Sequence, residues 1–287
     1  MPVQNMFRAR IAAFGAAACL TLFPMTAAAE TLAEKGAAGG LTVAFYNYNP
    51  NSYFNDAGEL IGTDPDTLMP VLKAMGLNVA SLLDTEWGNL IPGLQAGRFD
   101  LVAAGMYITP ARCKQVAFSE PIFGLSAALA LPKGNPHGIT GIEDFAVKGL
   151  TVAVLAGSAY VDFAKLAKIE DGKIMQLPDA AAAVAAIRAG RADAYFIDAA
   201  GINAIVTSLP EQDFEMSASF SDIGGKIISP HGAFAFRKQD ADFVIEFNKF
   251  LQERLKQPEH VAMLERHGMS AAELPRFTAT ELCEGMN

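Results

Sequence analysis

Leu94-Gln95-Ala96-Gly97-Arg98-Phe99-Asp100 returns later in the chain as Ile187-Arg188-Ala189-Gly190-Arg191-Ala192-Asp193. Each copy reads as the end of a helix, a glycine, an Arg-x-Asp turn and then a strand. Gly97 and Gly190 stand where a helix closes through a residue in the left-handed conformation. The apolar runs that follow, residues 101–104 and 194–197, are short and unbroken, as in strands buried on both faces of a parallel sheet. Upstream there is a second echo: Leu41-Thr42-Val43-Ala44-Phe45 resembles Leu150-Thr151-Val152-Ala153-Val154. Two segments repeated in the same order describe two similar lobes, each built by strand–helix–strand alternation, so the fold class is α/β.

The remaining pattern completes this reading. Helical periodicity covers residues 64–75, 87–96, 158–168, 180–189, 240–257 and 259–267. Asp64-Pro65 is placed as a cap followed by proline at the first helical position. A strand at residues 127–131 runs into the turn-rich Pro132-Lys133-Gly134-Asn135-Pro136, and residues 231–236 form a second crossing strand. Lobe one is therefore expected at residues 30–129 and 231–287, lobe two at 130–230, with a two-crossing hinge between them. In such sheets a ligand lies beyond the carboxyl ends of the strands.

The N-terminus carries Arg8 and Arg10, an apolar run over residues 11–25 and Ala27-Ala28-Ala29. That order of charge, apolar stretch and small residues reads as a secretory leader spanning residues 1–29. The net charge of −9 becomes −11 once the two leader arginines leave, which disfavours nucleic acid and anionic lipid as partners. After the leader, Cys113 and Cys283 remain, and in an oxidising compartment a pair is expected to join, although two separate buried thiols fit the sequence too. His137, His231, His260 and His267 have no metal-ligand spacing, and His260 and His267 read as helix-surface residues. No metal or other cofactor is expected. The phosphate-binding Gly-x-x-x-x-Gly-Lys-Ser/Thr motif of an ATPase is absent from the sequence.

The strand ends carry the candidate site. After the first strand comes Tyr46-Asn47-Tyr48-Asn49-Pro50-Asn51-Ser52-Tyr53-Phe54, whose Tyr46, Tyr48 and Phe54 offer aromatic faces. Trp87 precedes a helix, and Gly105, Tyr107 and Arg112 follow the strand that begins at residue 101. In lobe two, Gly157 and Ser158 follow one strand and Asp198 another. Arg112 can grip a carboxylate through two parallel hydrogen bonds. Gly157-Ser158 at a helix start offers N–H groups and a hydroxyl to the same anion. Asp198 can pair with an amine or amidinium, and the aromatics can face a cation. Each residue also has a structural role open to it: Asp198 as helix N-cap, Trp87 as core, Arg112 as a surface ion-pair partner. Together they fit a zwitterion.

The string Ala104-Gly105-Met106-Tyr107-Ile108-Thr109-Pro110-Ala111-Arg112, with Val116-Ala117-Phe118-Ser119-Glu120-Pro121, resembles the polar-amino-acid-type solute-binding proteins of ABC importers (bacterial extracellular solute-binding protein family 3). Gly62-x-Asp64, Trp87-x-x-Leu90-Ile91-Pro92-x-Leu94, Gly97-x-x-Asp100 and Leu155-x-Gly157-Ser158 extend the resemblance over the whole chain after the leader. It implies the type II periplasmic-binding-protein fold, a monomer that closes on a small ligand, and delivery to a permease in the inner membrane. It also implies that Arg112 holds the ligand carboxylate and Asp198 its ammonium. Within the family the string looks most like ectoine/hydroxyectoine-binding proteins, which commonly place an acid in the loop after the first strand. Here that loop has Asn47, Asn49 and Asn51, which leaves Asp198 as the main anionic candidate. The competing class is an enzyme of the same fold, a cyclohexadienyl dehydratase, for which Glu86 or Asp198 is the candidate acid or base.

Overall fold

The computed structural model describes residues 30–210, 213–228 and 230–285. The leader read at residues 1–29 lies outside them. Along the chain, the strands of the two larger sheets are β1 (Leu41–Phe45), β2 (Val79–Asp84), β3 (Leu101–Tyr107), β4 (Ala117–Phe118), β5 (Phe123–Gly124), β6 (Ala127–Pro132), β7 (Val152–Leu155), β8 (Ile174–Leu177), β9 (Ala194–Asp198), β10 (Phe214–Met216) and β11 (His231–Phe236). The first sheet runs β2-β1-β3-β11-β4, with β5 also paired to β11, and the second runs β8-β7-β9-β6-β10. In each, three parallel strands are followed by an antiparallel one, β11 against β3 and β6 against β9. The inserted strand comes from the far side of the hinge in both cases. This is the type II arrangement of two α/β lobes. The ladder between β6 and β9 already begins at Ala127, opposite Asp198. The first crossing therefore precedes Ala127, and a boundary between residues 129 and 130 would cut a strand of the second sheet.

The repeated heptapeptide has a physical explanation. Gly97 and Gly190 take φ of +69° and +65°, and the next amide turns back onto the helix: Arg98 N–H donates to the Gly93 carbonyl at 3.0 Å and Arg191 N–H to Ala186 at 2.9 Å. The aspartate at the end of each turn then grips the start of the lobe's first strand. Asp100 N–H donates to the Thr42 carbonyl at 2.8 Å while its carboxylate accepts the Thr42 N–H at 2.8 Å. Asp193 makes the same two bonds with Thr151, both at 2.7 Å. The two echoes in the sequence are thus the two halves of one clamp, used once per lobe. Removing the charged half in Asp193→Ala is expected to cost about 1–2 kcal/mol, read as a melting temperature several degrees lower. An unchanged melting curve would make the clamp dispensable.

Local details depart from the sequence reading where tertiary contacts decide. Helix Thr63–Ala74 starts one residue early, and backbone carbonyls cap it: Thr63 N–H donates to Pro50 and Asp64 N–H to Asn51, both at 3.0 Å. The Asp64 carboxylate does not cap its own helix. It reaches across to accept the Gly105 N–H at 2.8 Å, and its burial raises its pKa to about 7. His260 and His267 are not on the surface, because helix Pro258–Arg266 turns them inward against the first lobe. His260 donates from Nε2 to the Ile122 carbonyl at 3.0 Å, and burial lowers its pKa. His267 sits with Nε2 2.9 Å from Asp66 and Nδ1 3.3 Å from the Tyr53 hydroxyl. Cys113 and Cys283 are joined, their Cα atoms 5.6 Å apart. The bridge ties helix Ala279–Glu284 to the short helix Pro110–Cys113 that carries Arg112. Among the described residues, no helix is long and apolar enough to cross a membrane, and no cluster of His, Cys, Asp and Glu could hold a metal ion.

Candidate functional site

The carboxyl ends of β1 and β3 in one lobe face those of β7 and β9 in the other, and between them lies a cavity of about 30 Å³. Its walls are aromatic. Tyr46 and Tyr48 stack with centroids 6.3 Å apart, and Trp87 meets Tyr46 edge-on at 5.9 Å. Tyr107 meets Tyr160 edge-on at 6.0 Å.

Asp198, the last residue of β9, is 2% exposed. Of the roles open to it in the sequence, the helix N-cap is realised. Its Oδ1 accepts the Gly201 N–H at 2.7 Å and so caps helix Ala199–Ser208. Its Oδ2 accepts the hydroxyls of Tyr48 at 3.1 Å and Tyr107 at 3.2 Å, both from the other lobe. Among the described residues no Lys, Arg or His forms an ion pair with it. Burial raises its pKa above the usual carboxylate value, although these hydrogen bonds pull the other way.

Arg112 borders the cavity rather than lining it. Its Nη1 donates to the Tyr107 carbonyl at 2.9 Å, and its Nη2 reaches the other lobe at the Gly157 carbonyl, 3.3 Å away. The guanidinium lies 5.5 Å from the centre of the Trp87 ring, whose Nε1 donates to the same Gly157 carbonyl at 3.2 Å. Burial lowers the Arg112 pKa to about 10, so it stays a cation at neutral pH. Gly157 therefore contributes its carbonyl to this corner. The Ser158 amide is committed to the Leu155 carbonyl at 3.1 Å. Phe54 stands apart from the cavity. The hairpin Tyr53–Phe54 with Leu60–Ile61 turns it outward, edge-on to Phe45 at 5.7 Å and 47% exposed. Glu86 is exposed too, in a separate acidic cleft beside Asp84 and Asp179.

Residues 41–270 match the profile of the bacterial extracellular solute-binding proteins, family 3. The chain belongs to that family. A "Probable amino-acid ABC transporter periplasmic-binding protein" of Sinorhizobium fredii is 37% identical over 281 residues, 96% of this chain and 93% of that one. The crystal structure of EhuB in complex with hydroxyectoine superposes with a TM-score of 0.78 at 29% identity, covering 88% of this chain and 96% of that one. The ancestral amino-acid-binding protein AncCDT-1, a precursor of cyclohexadienyl dehydratase, superposes with a TM-score of 0.70 at 29% identity over 82% and 98% of the respective chains.

In this solute-binding protein two polar side chains of the cavity wall, Asn51 and Tyr160, are absent from the sequence-based candidates. Tyr160 is 1% exposed and sits two positions beyond Ser158, in the first turn of helix Ala159–Leu166. That placement, an aromatic just inside a helix that starts at a strand end, was the available signal. Asn51 lies in the same loop as the aromatic candidates Tyr46, Tyr48 and Phe54. Its burial at 3% depends on the turn that folds it under Tyr48, where its N–H donates to the Tyr48 carbonyl at 2.9 Å. No local pattern announces that.

Proposed function

We propose that this solute-binding protein is the periplasmic substrate-binding component of an ABC importer, and that it captures a small zwitterion, an ectoine-like compatible solute or an amino acid, by closure of its two lobes. The observation that carries this is Asp198: a buried carboxylate beside an aromatic-walled cavity, with no cation paired to it among the described residues. Such a group is costly to bury alone, and a cationic guest supplies the missing charge. Arg112 is tied to the same strand end through the Tyr107 carbonyl and offers the guest's carboxylate its remaining N–H donors. The cavity holds at most a few waters, so the lobes part to admit a ligand and close over it. Closure is favoured because the Tyr48, Tyr107, Trp87 and Arg112 contacts to lobe two form only then. The leader at residues 1–29 delivers the protein to the periplasm, where it acts as a monomer and passes its cargo to a permease.

The dehydratase alternative has less support, since Glu86 lies outside the cavity and Asp198 already caps a helix. A thermal-shift screen over amino acids, ectoines and betaines tests the proposal. One small zwitterion is expected to raise the melting temperature in proportion to the logarithm of its concentration above Kd, and prephenate and arogenate are expected to be recovered unchanged. Turnover of either, or no shift with any zwitterion, would overturn it.

A further inference from the structure

The hydrogen-bonding capacity of the cavity wall is unevenly distributed. The hydroxyl protons of Tyr48 and Tyr107 are committed to Asp198, so both oxygens can only accept, and that of Tyr107 already meets the Tyr160 hydroxyl at 3.5 Å. Two further wall residues each bury an oxygen with no hydrogen-bond partner among the described residues, Asn51 Oδ1 and Ser158 Oγ. The serine hydroxyl can donate or accept, whereas the amide oxygen can only accept. Asn51 has little freedom to turn away. Its N–H is bonded to Tyr48 and its carbonyl accepts the Asp64 N–H. Its side chain lies against the bare Cα of Gly105, where a Cβ would fall 1.5 Å from Nδ2.

We infer that Asn51 is a specificity-determining residue, which selects guests whose cationic group carries N–H donors and rejects quaternary ammonium compounds. Aromatic walls alone do not make that distinction, because a methylated ammonium sits against a ring face as well as a protonated one does. The distinction comes from the amide oxygen. A guest with N–H groups satisfies it, and a guest clad in methyl groups leaves it buried and unbonded. A site built to hydrogen-bond its substrate discriminates in this way against an analogue that lacks the donor.

The inference rests on the zwitterion reading of the cleft, and calorimetric titration of two matched pairs separates the two claims. The pairs are ectoine with its N,N′-dimethyl amidinium derivative, and L-proline with N,N-dimethyl-L-proline, each tested against the wild-type protein and Asn51→Ala. In the wild type the N–H member of a pair is expected to bind on the order of 10-fold tighter or more. In Asn51→Ala that ratio is expected to fall towards one, chiefly because the N–H member weakens. Equal affinities within every pair that binds, or a ratio that survives the substitution, would overturn the role of Asn51. Binding of none of the four, together with no thermal shift from any zwitterion, would overturn the zwitterion reading on which it rests. The wild-type titrations decide the selectivity by themselves should the variant fail to fold.

Discussion

Asp198→Asn is expected to weaken ligand binding by about 10²–10³-fold, the cost of removing one member of a buried, hydrogen-bonded charge pair. The asparagine preserves the shape and can still accept the Gly201 N–H that caps helix Ala199–Ser208. The lobe should therefore fold, and the loss should report on charge. The pH profile provides a second readout. Only ionised Asp198 pairs with a cation, and burial places its pKa above the ordinary carboxylate range. Affinity of the wild type is therefore expected to fall on acidification from a higher pH than an exposed aspartate would give, and Asp198→Asn should lose that component.

Stability of the unliganded protein responds with the opposite sign. A carboxyl whose folded pKa exceeds its unfolded one destabilises the fold fully above the folded value, and the cost is relieved as pH falls towards the unfolded value. Asp198 contributes in this sense, and so does Asp64, whose folded pKa is about 7. His260, held neutral by burial, works against them, because its contribution is lost as pH falls below the ordinary histidine value. Calorimetric titrations and melting curves across pH, with and without the substitution, separate these contributions. An affinity for the ligand that is unchanged in Asp198→Asn would remove the carboxylate from the binding mechanism.

The architecture was legible because it is written in local signals repeated twice. The glycines of the two helix ends, the aspartates that follow them and the threonines they grip are all near-neighbour or strand-start features, and each copy supports the other. The strand ends carrying Tyr107, Ser158 and Asp198 followed from the same pattern, since a parallel sheet places its ligands there. What stayed hidden depends on contacts between distant segments. Asp64 reads as a cap because the nearest orphan amides belong to its own helix, yet the Pro50 and Asn51 carbonyls take the Thr63 and Asp64 amides and start the helix one residue earlier. His260 and His267 fall in a charged stretch, and contacts with distant segments bury them, His260 at Ile122 and His267 at Asp66 and Tyr53. Phe54 was lost for a similar reason, because a two-residue hairpin reverses the face that a continuous loop would have shown.

Arg112→Ala is expected to weaken the same ligand by about 10²–10³-fold, by a route that can be told apart from that of Asp198. Two effects add. The guest's carboxylate loses its forked donor, and the closed state loses the bond from Nη2 to Gly157 that joins the lobes. When the lobes part, that Nη2 bond breaks and the guanidinium gains a free donor to meet an incoming carboxylate, while Nη1 stays anchored to the Tyr107 carbonyl. The first effect applies only to guests with a carboxylate, and the second to every guest. Comparing a bound zwitterion with its decarboxylated amine separates them: the zwitterion should lose much more affinity than the amine. Arg112→Lys keeps the charge but not the planar fork, and is expected to recover only part of the loss. Most of the change should appear as faster dissociation, because substitutions within one binding site alter the association rate far less than the dissociation rate. Equal losses for the zwitterion and the amine would confine Arg112 to holding the lobes together, and no loss for either would exclude it from binding altogether.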